Sequence, residues 1–232
     1  MDFQFQLYGD AHLNYIYLMS LSWIAVPLLS IKYLTKTYQR NLAITLALLT
    51  LGVEIVDDFY RFLDPNMGWL ISRDLPLHMC GLSVIATSWV LIKKNQLVFE
   101  LCYFWGLGGA LQAIFTPDST NIISHFYLFS FMATHGLIVL NISYLIFVYG
   151  MVLRKWALLR AIIITELILV VMYIINLILD SNYFYLLEKP VVDNPFVFGE
   201  WPFYLINMQI AAIFILGLIN LPMLIYRRRI ER

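Results

Sequence analysis

The sequence predicts an all-α, polytopic membrane protein. It reads as a single domain over residues 1–232, a bundle of seven transmembrane helices with the N-terminus outside and the C-terminus in the cytoplasm. Three observations lead there. First, 61% of the residues are hydrophobic and 13% are charged, whereas soluble domains run near 45–50% and about 25%. Second, apolar stretches of about 20 residues, the length that crosses a hydrocarbon core, recur along the chain. Third, the basic residues sort by side. Lys32, Lys36, Arg40, Lys93, Lys94, Arg154, Lys155, Arg160, Arg227, Arg228, Arg229 and Arg232 fall on one side, and only Arg61, Arg73 and Lys189 on the other. The positive-inside rule makes the richer side cytoplasmic.

The spans are expected at 13–33, 41–60, 75–92, 96–115, 123–149, 156–179 and 201–226. The first follows "MDFQFQLYGDAH", which lacks the basic n-region of a cleaved signal peptide. The second runs outward and carries Glu54, Asp57 and Asp58 near its outer end. The third, from residue 75 to 92, is short and is followed by Lys93 and Lys94. The fourth contains "GLGGA" at 106–110. No strand precedes those glycines, so they read as a close helix–helix contact rather than a dinucleotide loop. The fifth is long, the sixth ends outside at Asn176 and Asp180, and the seventh ends in a run of arginines. No linker, charge block or internal repeat divides the chain. A formal net charge of zero argues against a nucleic-acid partner, which would want a basic face.

This topology gives each polar residue a depth. Glu54, Asp57, Asp58, His78, Cys80, Gln112, His135, Asn176, Asn207 and Gln209 fall in the outer halves of their spans. Buried polar groups in a bilayer are costly and face a cavity or each other, which predicts a wet site open to the outer leaflet. Bland readings stand beside this one. Glu54, Asp57 and Asp58 share a face with Arg61, which favours an interfacial ion-pair cluster. His12 and His125 sit at membrane edges and read as solvated. Asn141-Ile-Ser143 matches a glycosylation sequon but lies inside a span. Asn176, Asn207 and Gln209 suit interhelical hydrogen bonds.

Two cysteines remain. Cys80 and Cys102 differ by roughly 12 Å in depth, beyond disulfide reach, so Cys80 is a free thiol and Cys102 a packing residue. His135 lies in the depth range where it could face Cys80, and a Cys–His pair is the minimal apparatus of thiol-based acyl transfer. His78 stands two residues from Cys80, about 200° around a helix, and points elsewhere; Asp74 could orient it. With the helix opening near residue 75, its dipole assists Cys80 only weakly. A zinc site from His78, Cys80 and His135 would require unwinding the helix. A bis-histidine haem is a further reading, and neither group is adopted.

"LPLHMCGLS", "FELCYFWGLGGALQAIFTPD", "HFYLFSFMATHGLIVL", "NYFYLLEKP" and "GEWPFY" resemble the motifs of the YwaF-type bacterial integral membrane proteins. That group is distantly related to the animal transmembrane protein 164, a cysteine-dependent acyltransferase acting on ether phospholipids. The resemblance covers about residues 75–205. It implies Cys80 as nucleophile, His135 as its partner histidine, a bacterial cell membrane as the location, and phospholipid and lysophospholipid as substrates.

With Cys80 near the outer leaflet, cytoplasmic acyl-CoA cannot reach it, so a membrane phospholipid would donate the acyl chain with no soluble cofactor or metal. Gln112, Asn176 and Trp105 are candidate oxyanion donors. Residues 180–200 mix Tyr183, Phe184, Tyr185, Phe196 and Phe198 with Lys189, which could touch a phosphate. The same residues suit an aromatic interface belt anchored by Trp201. The competing function is a non-enzymatic carrier or transporter with an outward polar cavity.

Overall fold

The protein is described from a computed structural model, which covers residues 3–117, 120, 122–190 and 197–230. Phe196 and Arg232 lie outside the described residues. The chain is all-helical, with no strand among the described residues. In order the helices are α1 (Asp10–Tyr33), α2 (Lys36–Leu63), α3 (Met79–Lys93), α4 (Gln96–Phe115), α5 (His125–Phe147), α6 (Ala157–Leu179) and α7 (Phe203–Ile230). Five of them, α1, α4, α5, α6 and α7, are long and apolar enough to cross a membrane. The predicted second and third spans exist as helices of another kind. α2 carries Lys36, Arg40, Glu54, Asp57, Asp58 and Arg61 along its 28 residues, and α3 is 15 residues long.

The order of burial explains the packing. α5 is the central helix: 67% of its most apolar window is buried, and it touches α1, α2, α3 and α4. α6 and α7 are peripheral, each with 11% of that window buried, and both lean on α4. Their outer faces are therefore apolar and unpaired, which suits lipid as the neighbour.

Polar side chains fix the register of the centre. Asn141 on α5 donates to Thr50 on α2 at 2.9 Å and to Thr87 on α3 at 3.4 Å, and all three are fully buried. Asn141 is thus a core strut, consistent with setting the sequon aside. At the basic end the Tyr144 hydroxyl donates to the Gln39 carbonyl at 2.8 Å and pairs with Ser30, which ties α1, α2 and α5 together. On α1, the Trp23 indole donates to the Gly136 carbonyl at 3.0 Å.

His12 departs from expectation. It is 1% exposed, accepts the Tyr8 N–H on Nδ1 at 3.0 Å, and lies 2.7 Å through Nε2 from the Ile114 carbonyl. The imidazole satisfies an end carbonyl of α4, so the first turn of α1 folds inward rather than facing water. His125 is exposed, as expected.

The glycine run contains a π turn, Gly106–Ala110. A methyl group on Gly106 would collide with Ile142 and come within 2.8 Å of Ile138, both on α5. On Gly108 it would meet Leu216 of α7 at 3.0 Å. These two glycines make the close contacts foreseen for the run. Gly109 has a different neighbour, described below.

Candidate functional site

Cys80 is set by the way α3 begins. The helix opens at Met79, four residues later than the sequence suggested, with His78 as its N-cap and no side-chain cap. The chain before it doubles back: a methyl group on Gly81 would lie 2.7–2.9 Å from backbone atoms of Pro76, so only glycine fits. The first α3 hydrogen bond closes from the Leu82 N–H to the His78 carbonyl at 3.0 Å. The amide N–H groups of Met79, Cys80 and Gly81 have no backbone acceptor among the described residues. Cys80 therefore stands in the first turn, where the helix dipole and unpaired N–H groups favour negative charge. The expectation of a weak dipole effect rested on the earlier start and is corrected.

The thiol borders the π turn. A methyl group on Gly109 would touch Cys80 Sγ at 3.9 Å and Met79 Sδ at 3.5 Å. Gly109 is thus beside the sulfur, whereas sequence reasoning placed it with the packing glycines. π turns of this kind recur at functional sites.

His135 comes to the same level by register. Gly106 on α4 lies against Ile138 and Ile142 on α5. Three residues further toward the end where α3 starts, about 4.5 Å on each helix, stand Gly109 and His135. The second register agrees. Thr87 and Asn141 are hydrogen-bonded, and Cys80 and His135 lie seven and six residues from them toward the end where α3 starts, a difference of about 1.5 Å.

The imidazole is 7% exposed, and its Nδ1 lies 2.7 Å from the Phe131 carbonyl. A carbonyl can only accept, so Nδ1 carries the proton and Nε2 keeps its lone pair.

The acidic face of α2 divides into three roles. Asp57 pairs with Arg61 at 2.6 Å and accepts from Ser130. Asp58 accepts from the Trp69 indole at 3.2 Å. Both brace this end of α2, as the ion-pair reading expected. Glu54 is near Thr134, the neighbour of His135, and within electrostatic reach of Cys80. A signal for this existed in the sequence: Asp57 has Arg61 one turn away, and Glu54 has no basic residue at that spacing.

A polar frame covers the end where α3 starts. The Tyr127 hydroxyl donates to Asp64 at 2.9 Å. The Asn66 N–H, and after it Tyr127, hold the Asp64 carboxyl below the usual carboxylate range. The Tyr183 hydroxyl donates to the Ile71 carbonyl at 2.6 Å and accepts the Leu75 N–H at 3.2 Å.

The remaining named residues lie around this centre rather than in it. His78 accepts the Phe184 N–H on Nδ1 at 3.4 Å and its ring rests on Tyr183 and Tyr185. The Asn176 amide is used on both sides: it donates to the Tyr183 carbonyl at 2.9 Å and accepts from the Tyr183 N–H and Ser181. The Trp105 indole donates to Thr165 at 2.8 Å. Gln112 is exposed on the last turn of α4. Lys189 lies 3.8 Å from Glu200.

Tyr183 is fully buried, so it belongs to this frame; Phe198 and Trp201 are 62% and 52% exposed and suit an interface belt. Both cysteines are free, and Cys102 is fully buried in the core. Among the described residues, no three His, Cys, Asp or Glu side chains gather as metal ligands.

The family model of the TMEM164 family matches residues 7–220. The chain is also similar to an uncharacterized protein of Treponema pallidum (strain Nichols), at 35% identity over 65 residues. That stretch is 28% of this chain and 27% of the relative, so the chain spans about a quarter of the relative it matches. No solved structure matches.

Proposed function

The chain belongs to the TMEM164 family, and from that membership we propose that it is a membrane acyltransferase that moves an acyl chain from a phospholipid to a lysophospholipid through Cys80. One observation carries the reading: a free thiol in the uncapped first turn of α3, level with a histidine whose Nε2 bears the lone pair. In the first step His135 Nε2 takes the Cys80 proton, and the sulfur attacks the ester carbonyl. The ester C–O bond breaks, the lysophospholipid leaves with the proton returned by His135, and the acyl chain stays on Cys80 as a thioester. An acceptor hydroxyl then gives its proton to Nε2 and attacks the thioester, which restores the thiol.

The oxyanion of each step needs donors. The unpaired N–H groups of Met79, Cys80 and Gly81 suit this better than Trp105 or Asn176, whose side-chain donors are already engaged. Gln112 remains a candidate because its side chain is exposed near the same end.

Purified protein given a diacyl phospholipid and an isotopically labelled lysophospholipid should convert the latter to diacyl product. Intact-mass analysis of enzyme quenched without acceptor should show one acyl adduct, released by hydroxylamine and mapped to Cys80. Transfer without an adduct at Cys80 would remove the thioester scheme.

The reading carries a topology with it. α2 and α3 complete a seven-span bundle in the cell membrane, with the start of α3 toward the outer leaflet. α3 covers only about 22 Å, and the non-helical segment before it is tolerable at that depth because it is held within protein. Reporters fused in the segment after α6 and beyond the end of α7 should signal opposite sides, the latter cytoplasmic. The same side for both would overturn the orientation.

A further inference from the structure

We propose that the basic end of the seam between α6 and α7 binds one anionic phospholipid from the leaflet at that end. The site is remote from Cys80: Ala157 and Asn176 lie at opposite ends of α6, about 28 Å apart. Three observations meet there, and none depends on the acyl-transfer reading.

The first is a cavity of about 470 Å³ between the start of α6 and the end of α7. Among the described residues its charged lining is Arg154, Lys155 and Arg227, with no acidic residue. Glu100, the carboxylate that Arg154 reaches, is fully buried and already held by two arginines, Arg154 at 2.7 Å and Arg160 at 2.9 Å. With Glu100 shared between two arginines, Arg154 and Lys155 keep this part of the described wall positive.

The second is the start of α6 itself. Ala157, Leu158 and Leu159 line the cavity, and this helix has no side-chain cap and no acidic residue in its first turn. Its N-terminal N–H groups and dipole add to the attraction for an anion.

The third decides between a free anion and a lipid. Leu158, Leu159, Ile162 and Leu224 form the apolar part of the lining. Leu159 is 50% exposed and continues into Ile163, also 50% exposed, on the apolar outer face of α6. A headgroup phosphate in the basic part can thus keep its acyl chains against the helix. Basic pockets between helices at a membrane surface suit such headgroups.

The test is native mass spectrometry of the purified full-length protein with equimolar phosphatidylglycerol and phosphatidylcholine. Phosphatidylglycerol should be retained over phosphatidylcholine. Lys155→Gln should cut that preference by about fivefold, the effect of one basic side chain near a lipid surface, and Arg227→Gln should compound it. Ile162→Trp, which fills the cavity without changing charge, should also reduce retention. Lys32→Gln, at the same end of the bundle but outside the cavity, should not.

Equal retention of the two lipids would overturn the proposal. So would an equal loss with Lys32→Gln, which would mean diffuse attraction to the whole basic end, or competition by free glycerol 3-phosphate at the lipid's own concentration, which would mean a site for the anion alone. Lys155 is exposed, so its variant keeps the proposal testable if Ile162→Trp fails to fold.

Discussion

Cys80→Ala is expected to lower acyl transfer by at least about a thousandfold, because removing a nucleophile abolishes the covalent route and leaves only binding and oxyanion stabilisation. The same variant should fold normally, since the lost sulfur neighbours glycine rather than a packed core side chain. His135→Ala should cost about a hundred- to ten-thousandfold, the range for a general base. Its acyl adduct should still form, slowly, when the thiol is intact. Cys102→Ala is the control: that thiol is fully buried in the core, seven residues along α4 from the glycine beside Cys80, so transfer should persist. Initial rates on purified variants of matched thermal stability decide the matter. Retention of more than a tenth of wild-type transfer by Cys80→Ala would sink the mechanism.

The largest effect on stability is expected at Glu100. This carboxylate is 0% exposed and is held at the basic end by both Arg154 and Arg160, with Gln96 at 3.5 Å. A buried charge stripped of its partners costs about 3–5 kcal/mol. Arg154→Met combined with Arg160→Met should therefore fall by roughly that amount, reduced somewhat because both arginines are partly exposed. Adding Glu100→Gln should recover much of the loss, since a neutral amide is far cheaper to bury alone. Thermal unfolding in a fixed detergent gives the comparison. If the triple variant is no more stable than the double, the penalty is lost packing, not an orphaned charge.

Most of the fold was legible because composition and apolar length report directly on the bilayer as solvent. The positions of α1 and α4 to α7 follow from that logic alone. The start of α3 was not legible. The apolar run "LPLHMCGLS" continues smoothly through it, and the break is tertiary: the backbone of Pro76 lies against Gly81. Glu54 and Gly109 were read by local rules, charge spacing and small-residue packing, whereas their neighbours Thr134 and Cys80 come from other helices. His12 failed for the same reason, since its acceptor lies 102 residues away. Cys80 and His135 could be proposed from the sequence because their residue types are rare in such a chain.

The peripheral position of α6 and α7 has a mechanical meaning. Between helices in lipid there is no hydrophobic drive for association, so packing and hydrogen bonds must hold them. Among the described residues the polar fasteners are few: Tyr103 to the Ile219 carbonyl, Tyr204 to the Tyr185 carbonyl and Gln209 to Glu166 for α7, and Trp105 to Thr165 with Arg160 to Glu100 for α6. Drawn out of the bilayer by its C-terminal end, the chain should yield in steps. α7 should come away at low force, then α6 once its fasteners give, while the body around α5 holds until the Asn141 strut ruptures as one unit. Force–extension traces would show this as two small peaks before a tall one.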